Sequence, residues 1–168
     1  MKGEYKMIST KLQDAINSQI KAEMNSAHIY LAMSVECEAK NLSGFASWLR
    51  KQYQEENSHV FKLMDYLLER GGSVKLQAVE APAAEYGTPV ELFEKVLAHE
   101  IHISNLINKL YEVALEEKDY AAQIFLQWFI AEQVEEEASV SAVLERLKFV
   151  GDKGGSLLYI DKELGKRA

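Results

Sequence analysis

Glu56 and His59 stand three residues apart, as do Gln133 and Glu136, while Glu23 and Glu100 are set singly among apolar neighbours at helical spacing. Residues three or four apart share one face of a helix. Each group falls on the apolar stripe of its own periodic segment. Glu23 lies between Ile20 and Ala27, and Glu56 and His59 continue a stripe begun by Phe45 and Leu49. Glu100 lies between Val96 and Ile103, and Gln133 and Glu136 between Phe129 and Val140. No Lys or Arg shares these positions. Carboxylates cannot be buried together in ionised form without positive charge beside them. Metal cations supply that charge most directly. A carboxylate-rich donor set with one imidazole and no thiolate suits hard or borderline metal ions. Glu-x-x-His is unspecific alone; its place on the stripe, beside other inward carboxylates, gives it weight.

Four long helices are needed to carry these stripes. The first is predicted over 10–40, opened by a T-x-x-Q capping box of Thr10 and Gln13, with Leu12, Ile16, Ile20, Ala27, Tyr30, Ser34 and Cys37 inside. The second, over 43–70, stops at Gly71-Gly72. Thr88-Pro89-Val90-Glu91 combines a capping box with Pro at the first helical position and opens a third helix over 89–117. Asp119 caps a fourth over 119–150, ended by Gly151, Gly154 and Gly155, and a short amphipathic helix follows over 156–165. The stretch 73–87 is a long connection, which lets two successive helices of a bundle run parallel. The expected fold is all-α: one domain over 1–168, a four-helix bundle with one long crossover between helices 2 and 3 and a short C-terminal fifth helix. Midpoints of rods about 40 Å long, packed side by side, lie at similar height, so the inward carboxylates converge on one central patch.

Composition sets the outer limits. With 48% hydrophobic and 27% charged residues, the 168-residue chain reads as a soluble globular protein, and its net charge of −7 argues against nucleic acid as a partner. No run approaches a membrane span. The N-terminus, MKGEYKMIST, lacks the apolar core of a signal peptide. The single Cys37 excludes an intrachain disulfide and reads as a buried, inert thiol. The cytoplasm is the compartment expected.

A Glu from each of two helices together with a Glu-x-x-His element is the pattern of a dinuclear carboxylate centre in a helix bundle. Two irons side by side pass two electrons to one oxidant, so oxidation of ferrous iron by dioxygen or hydrogen peroxide is the natural chemistry.

At this point the chain resembles the ferritin family, specifically the haem-free ferritins of bacteria and archaea. The resemblance spans about residues 8–165. It rests on Gln54-Glu55-Glu56-Asn57-Ser58-His59, Phe125-Leu126-Gln127-Trp128, Glu132-Gln133-Val134-Glu135-Glu136-Glu137 and the tail around Tyr159-Ile160-Asp161-Lys162-Glu163-Leu164. The resemblance implies a ferritin-like bundle with a ferroxidase centre. Glu23, Glu56 and His59 would hold the first iron, and Glu56, Glu100 and Glu136 the second, with Glu56 bridging. Gln133 would neighbour the second iron. Tyr30 would stand beside the centre as an electron donor, a core aromatic role being the plain alternative. Glu55, Glu132 and Glu135 match a third iron site. The resemblance also implies a homo-oligomeric shell of 24 subunits storing ferric mineral, with the fifth helix meeting its copies around four-fold axes. Glu116, Glu117 and Asp119 would line a pore for ion uptake.

Haem is not expected, because Asn57 stands where bacterioferritins carry a haem-ligating methionine. Two other readings of function are another di-iron carboxylate oxidase or peroxidase of the same superfamily, and a non-enzymatic helical scaffold. His99 and His102, off the stripe, are expected at the surface, and Trp128 in the core.

Overall fold

Helix starts are set by side chains that accept the otherwise unpartnered first backbone amides. In the computed structural model, which describes residues 7–152 and 154–166, Ser9 caps α1 (Thr10–Ala39) by accepting from the Leu12 amide at 3.2 Å. Thr10 is therefore the first helical residue and not the cap. The Gln13 side chain does not close a capping box; it accepts from the Ser73 amide at 2.8 Å. Thr88 and Glu91 cap each other at the start of α3 (Pro89–Glu116), and Asp119 accepts from the Ala122 amide to start α4 (Tyr120–Val150). α2 (Ser43–Glu69) has no cap of its own. Its start is served by Asp161 of α5 (Gly155–Leu164), which accepts from the Phe45 amide at 3.0 Å. A carboxylate is doubly suited there, because a helix N-terminus carries partial positive charge. The N-terminal residues 1–6, on which part of the signal-peptide argument rests, lie outside the described residues.

α1 and α2 pair through a tight turn in which Asn41 takes a left-handed φ of 58° and Leu42 donates back to Cys37. Lys118, at φ 51°, does the same between α3 and α4. Short turns of this kind make antiparallel neighbours. Between the two pairs, the crossover lies along α1 as a strap. Gln13 holds Ser73, Asn17 holds Ser73 and Lys75, Asn25 holds Glu80 and Glu36 holds Tyr86, all through the strap's backbone. The strap thus travels the length of α1 and delivers α3 to the end where α2 began, so α2 and α3 run parallel. The result is an all-α, four-helix bundle with a short fifth helix packed on α2 and α4. Among the described residues, no helix is long and apolar enough to cross a membrane.

The core is divided. One apolar half gathers Phe45, Trp48, Leu49, Phe93, Val96, Val140 and Leu144. The other gathers Leu12, Ile16, Leu63, Ile103, Ile107 and Leu126. Between them, at mid-height on all four long helices, lies a buried polar layer: Gln19 and Glu23, Gln52, Glu56 and His59, Glu100, and Gln133 and Glu136. Burying a core side chain contributes about 1.5–3 kcal/mol, and the layer forgoes that gain at eight positions. The two halves around it hold it in place.

Candidate metal centre

Glu23 has no exposed surface, and Glu56 and His59 are almost as deeply buried. One potential ligand atom from each lies within 4.8 Å of the other two. The pairing follows from sequence spacing: Glu56 and His59 are one helical turn apart on α2, with His59 Nδ1 3.5 Å from Glu56 Oε2, and the antiparallel contact with α1 brings Glu23 opposite. Glu23 Oε2 and Glu56 Oε2 are buried without a hydrogen-bond donor. Such orphaned oxygens are costly. Burial, and then the negative charge of Glu56, hold the Glu23 carboxyl well above the usual carboxylate range. Burial and the charge of Glu100 do the same to Glu56. Both can therefore be ionised together only when positive charge lies beside them. A divalent cation meets that need, because it can bind several oxygens and the His59 imidazole at once.

Glu100 and Glu136 complete the layer from α3 and α4. Tyr30 donates its hydroxyl to Glu100 Oε1, and Gln133 Nε2 donates to Glu100 Oε2 at 3.1 Å. These two bonds pull the Glu100 carboxyl down against burial, which has the larger effect and leaves it raised. Gln52 Nε2 donates to Glu136 Oε2 at 2.8 Å, tying α2 to α4. Burial and the charge of Glu100 push the Tyr30 phenol well above its ordinary range. Tyr30 is thus a neutral hydrogen-bond donor at neutral pH. Glu55 and Glu132 are half-buried and Glu135 is exposed; among the described residues, they do not form a second cluster of three at the same separation.

Three side chains differ from the sequence reading. His99 is not at the surface: it is half-buried, with Nε2 2.7 Å from Ser26 Oγ and its ring edge-on to Tyr30. Burial, and then His102, push its pKa down to about 4. His102 is exposed. Trp128 is 39% exposed and so is not a core residue; it packs edge-on to His59 with the Lys62 ammonium 4.1 Å from its ring centre. Asp119 is buried in a two-bond pair with Arg70, at 2.7 and 3.1 Å, and cannot face a pore. Gln19 went unrecognised in the sequence. Its Nε2 donates to Glu23 Oε1 at 2.7 Å, and the available signal was its position one turn before Glu23. Cys37 is buried, and burial raises its thiol to about 12, so it is inert at neutral pH.

A sequence model of the ferritin-like domain matches residues 13–150. The bacterial non-heme ferritin of Bacteroides fragilis (strain YCH46) is 47% identical over 161 residues, covering 96% of this chain and all of its own. That of Escherichia coli O157:H7 is 37% identical over 158 residues, covering 94% and 96%. Among solved structures, the open-pore ferritin of the hyperthermophilic archaeon Archaeoglobus fulgidus superposes with a TM-score of 0.94 at 46% identity, over 96% of this chain and 99% of the other.

Proposed function

The chain belongs to the ferritin family, and from that premise we propose that it oxidises Fe(II) at the buried carboxylate layer and stores the Fe(III) as mineral inside a shell of 24 copies. The observation that carries this reading is the pair of donorless oxygens on Glu23 and Glu56, buried beside His59. Iron is the substrate. Glu23, Glu56 and His59 hold one Fe(II); Glu56, Glu100 and Glu136 hold a second, with Glu56 between them. Each ion gives one electron. The pair reduces dioxygen to hydrogen peroxide, or hydrogen peroxide to two waters, and either reduction consumes two protons. Burial holds the Glu23 and Glu56 carboxyls toward their protonated forms, and a bound cation favours the ionised forms, so acid is released where reduction consumes it. Gln133 fixes Glu100 in position, and Tyr30, neutral and bonded to Glu100, stands ready as an electron donor.

Glu55, Glu132 and Glu135 serve as a third iron site on the way from the centre to the mineral. No haem is required. The shell reading draws support from the end of α4 and from α5, where Phe149, 92% exposed, lines an open pocket with Val150, Tyr159 and Ile160. An apolar patch of that kind is normally covered by another subunit. The reading also implies a cytoplasmic protein.

The test is the initial rate of ferric absorbance after adding Fe(II) in air. Glu56→Ala and His59→Ala should each be at least about tenfold slower than the parent while keeping their helical content. Parent-like rates in both would sink the proposal. Light scattering should find a particle of roughly half a megadalton, 24 chains of 19.0 kDa, that gains an electron-dense core on iron loading.

A further inference from the structure

Resting on that reading of the layer, we infer that Gln19 and Gln52 are positioning residues for the cations, and that they are amides because a neutral donor orients a carboxylate without neutralising it. Three carboxylates of the layer each accept from a glutamine Nε2. Gln19 holds Glu23 Oε1 at 2.7 Å, Gln52 holds Glu136 Oε2 at 2.8 Å, and Gln133 holds Glu100 Oε2 at 3.1 Å. The amides come from α1, α2 and α4, and all three are buried. A carboxylate has two oxygens with about four acceptor sites, so pinning one oxygen aims the other. Glu23 displays this division: Oε1 is bonded to Gln19, and Oε2 is the orphan.

The choice of donor matters as much as its presence. A buried Lys or Arg would grip these carboxylates more strongly, but it would also supply the positive charge that the cation is needed for. No Lys or Arg is among the buried residues of the layer. Amides therefore leave the full negative charge available to cations while removing the freedom of the carboxylates to swing. Hydrogen bonds that orient metal ligands typically change affinity 10- to 100-fold.

The experiment is an anaerobic titration of the assembled, metal-free protein with Co(II), followed by heat of binding and by visible d–d absorption, which reads coordination geometry. Gln19→Leu removes the donor at similar volume. It should bind Co(II) at least tenfold more weakly at the Glu23–Glu56–His59 site and show an altered absorption envelope. Gln19→Lys retains a donor but adds a charge, and its affinity should fall as well. Gln77→Leu, on the exposed strap, should match the parent. Parent-like affinity and spectrum in Gln19→Leu would overturn the positioning role, and parent-like affinity in Gln19→Lys would overturn the requirement for neutrality. Circular dichroism reports folding; should Gln19→Leu fail to assemble, Gln52→Leu puts the same question to Glu136 with the same two outcomes. Failure of the underlying reading looks different: the parent itself would then take up no more Co(II) than Glu56→Ala.

Discussion

Replacing Glu56 by Gln should stabilise the metal-free protein, by an amount that depends on pH in a defined direction. Burial and neighbouring negative charge raise the Glu56 carboxyl well above its ordinary value of 4.5. The folded chain therefore keeps a proton that the unfolded chain releases above about pH 4.5. A carboxyl with a raised folded pKa favours folding least where the unfolded chain is ionised, so stability is greatest below pH 4.5 and falls as pH rises toward the folded pKa. Each pH unit of that window costs about 1.4 kcal/mol. Gln has the same shape, no charge and an N–H that can face Glu23. Glu56→Gln should recover most of that loss at pH 7 and nothing at pH 4. For a chain of this size each kcal/mol recovered raises Tm by roughly 2–4 °C. The assay is thermal unfolding with chelator present at a series of pH values and fixed protein concentration. Adding Zn(II) should reverse the order. The parent gains about 2.7 kcal/mol at a hundredfold excess over Kd, and the variant, without a bridging carboxylate, gains far less. A metal-free Glu56→Gln protein less stable than the parent at pH 7, or a difference that ignores pH, would refute the reasoning.

His99 behaves oppositely to Glu56. With its pKa pushed down to about 4, it supports folding fully above about pH 6.5 and loses that support as pH falls through 4, so His99→Leu should retain more of its pH 7 stability at pH 4.5 than the parent does, by up to about 3 kcal/mol in denaturant titrations. Asp119→Ala removes the α4 cap and strands a half-buried Arg70, and should cost about 3 kcal/mol in urea unfolding. Gly44→Ala should displace α5, because a Cβ there would sit 1.6 Å from the Asp161 carbonyl oxygen; limited proteolysis should then cut near residue 151 faster than in the parent.

The four stripes were legible because the bundle buries one face of every long helix, so a carboxylate at Glu23 or Glu100 stands out against its Ile and Val neighbours. The starts of α3 and α4 were legible for a local reason: Thr88, Pro89, Glu91 and Asp119 act within one turn of themselves. The start of α1 at Thr10 is legible, but its cap is Ser9 and not Thr10: both have a hydroxyl that can cap, and only the position of the strap reveals that Gln13 is engaged elsewhere. His99 was read as surface because a single stripe was assumed. In fact each bundle helix touches two neighbours, and the α1–α3 contact buries a second, narrower stripe through Ser26 and His99. Trp128 was read as core because its bulk suggests it, but its flank lies open and Lys62 covers it only in part. The start of α2 could not be read locally at all, since its amide partner, Asp161, lies 116 residues away.

The hold of α1 on the strap has a consequence for what the chain can carry. Gln13, Asn17, Asn25 and Glu36 grip amide and carbonyl groups, which every residue type except Pro shares, and none of these contacts reads a strap side chain. Leu76, Gln77 and Ala78 stand exposed between the grips at Lys75 and Glu80. Lengthening a surface loop costs little, about 0.6 kcal/mol per doubling. A foreign peptide spliced in at Gln77 would be anchored on both sides by α1, and every copy of the subunit would present it at the same address.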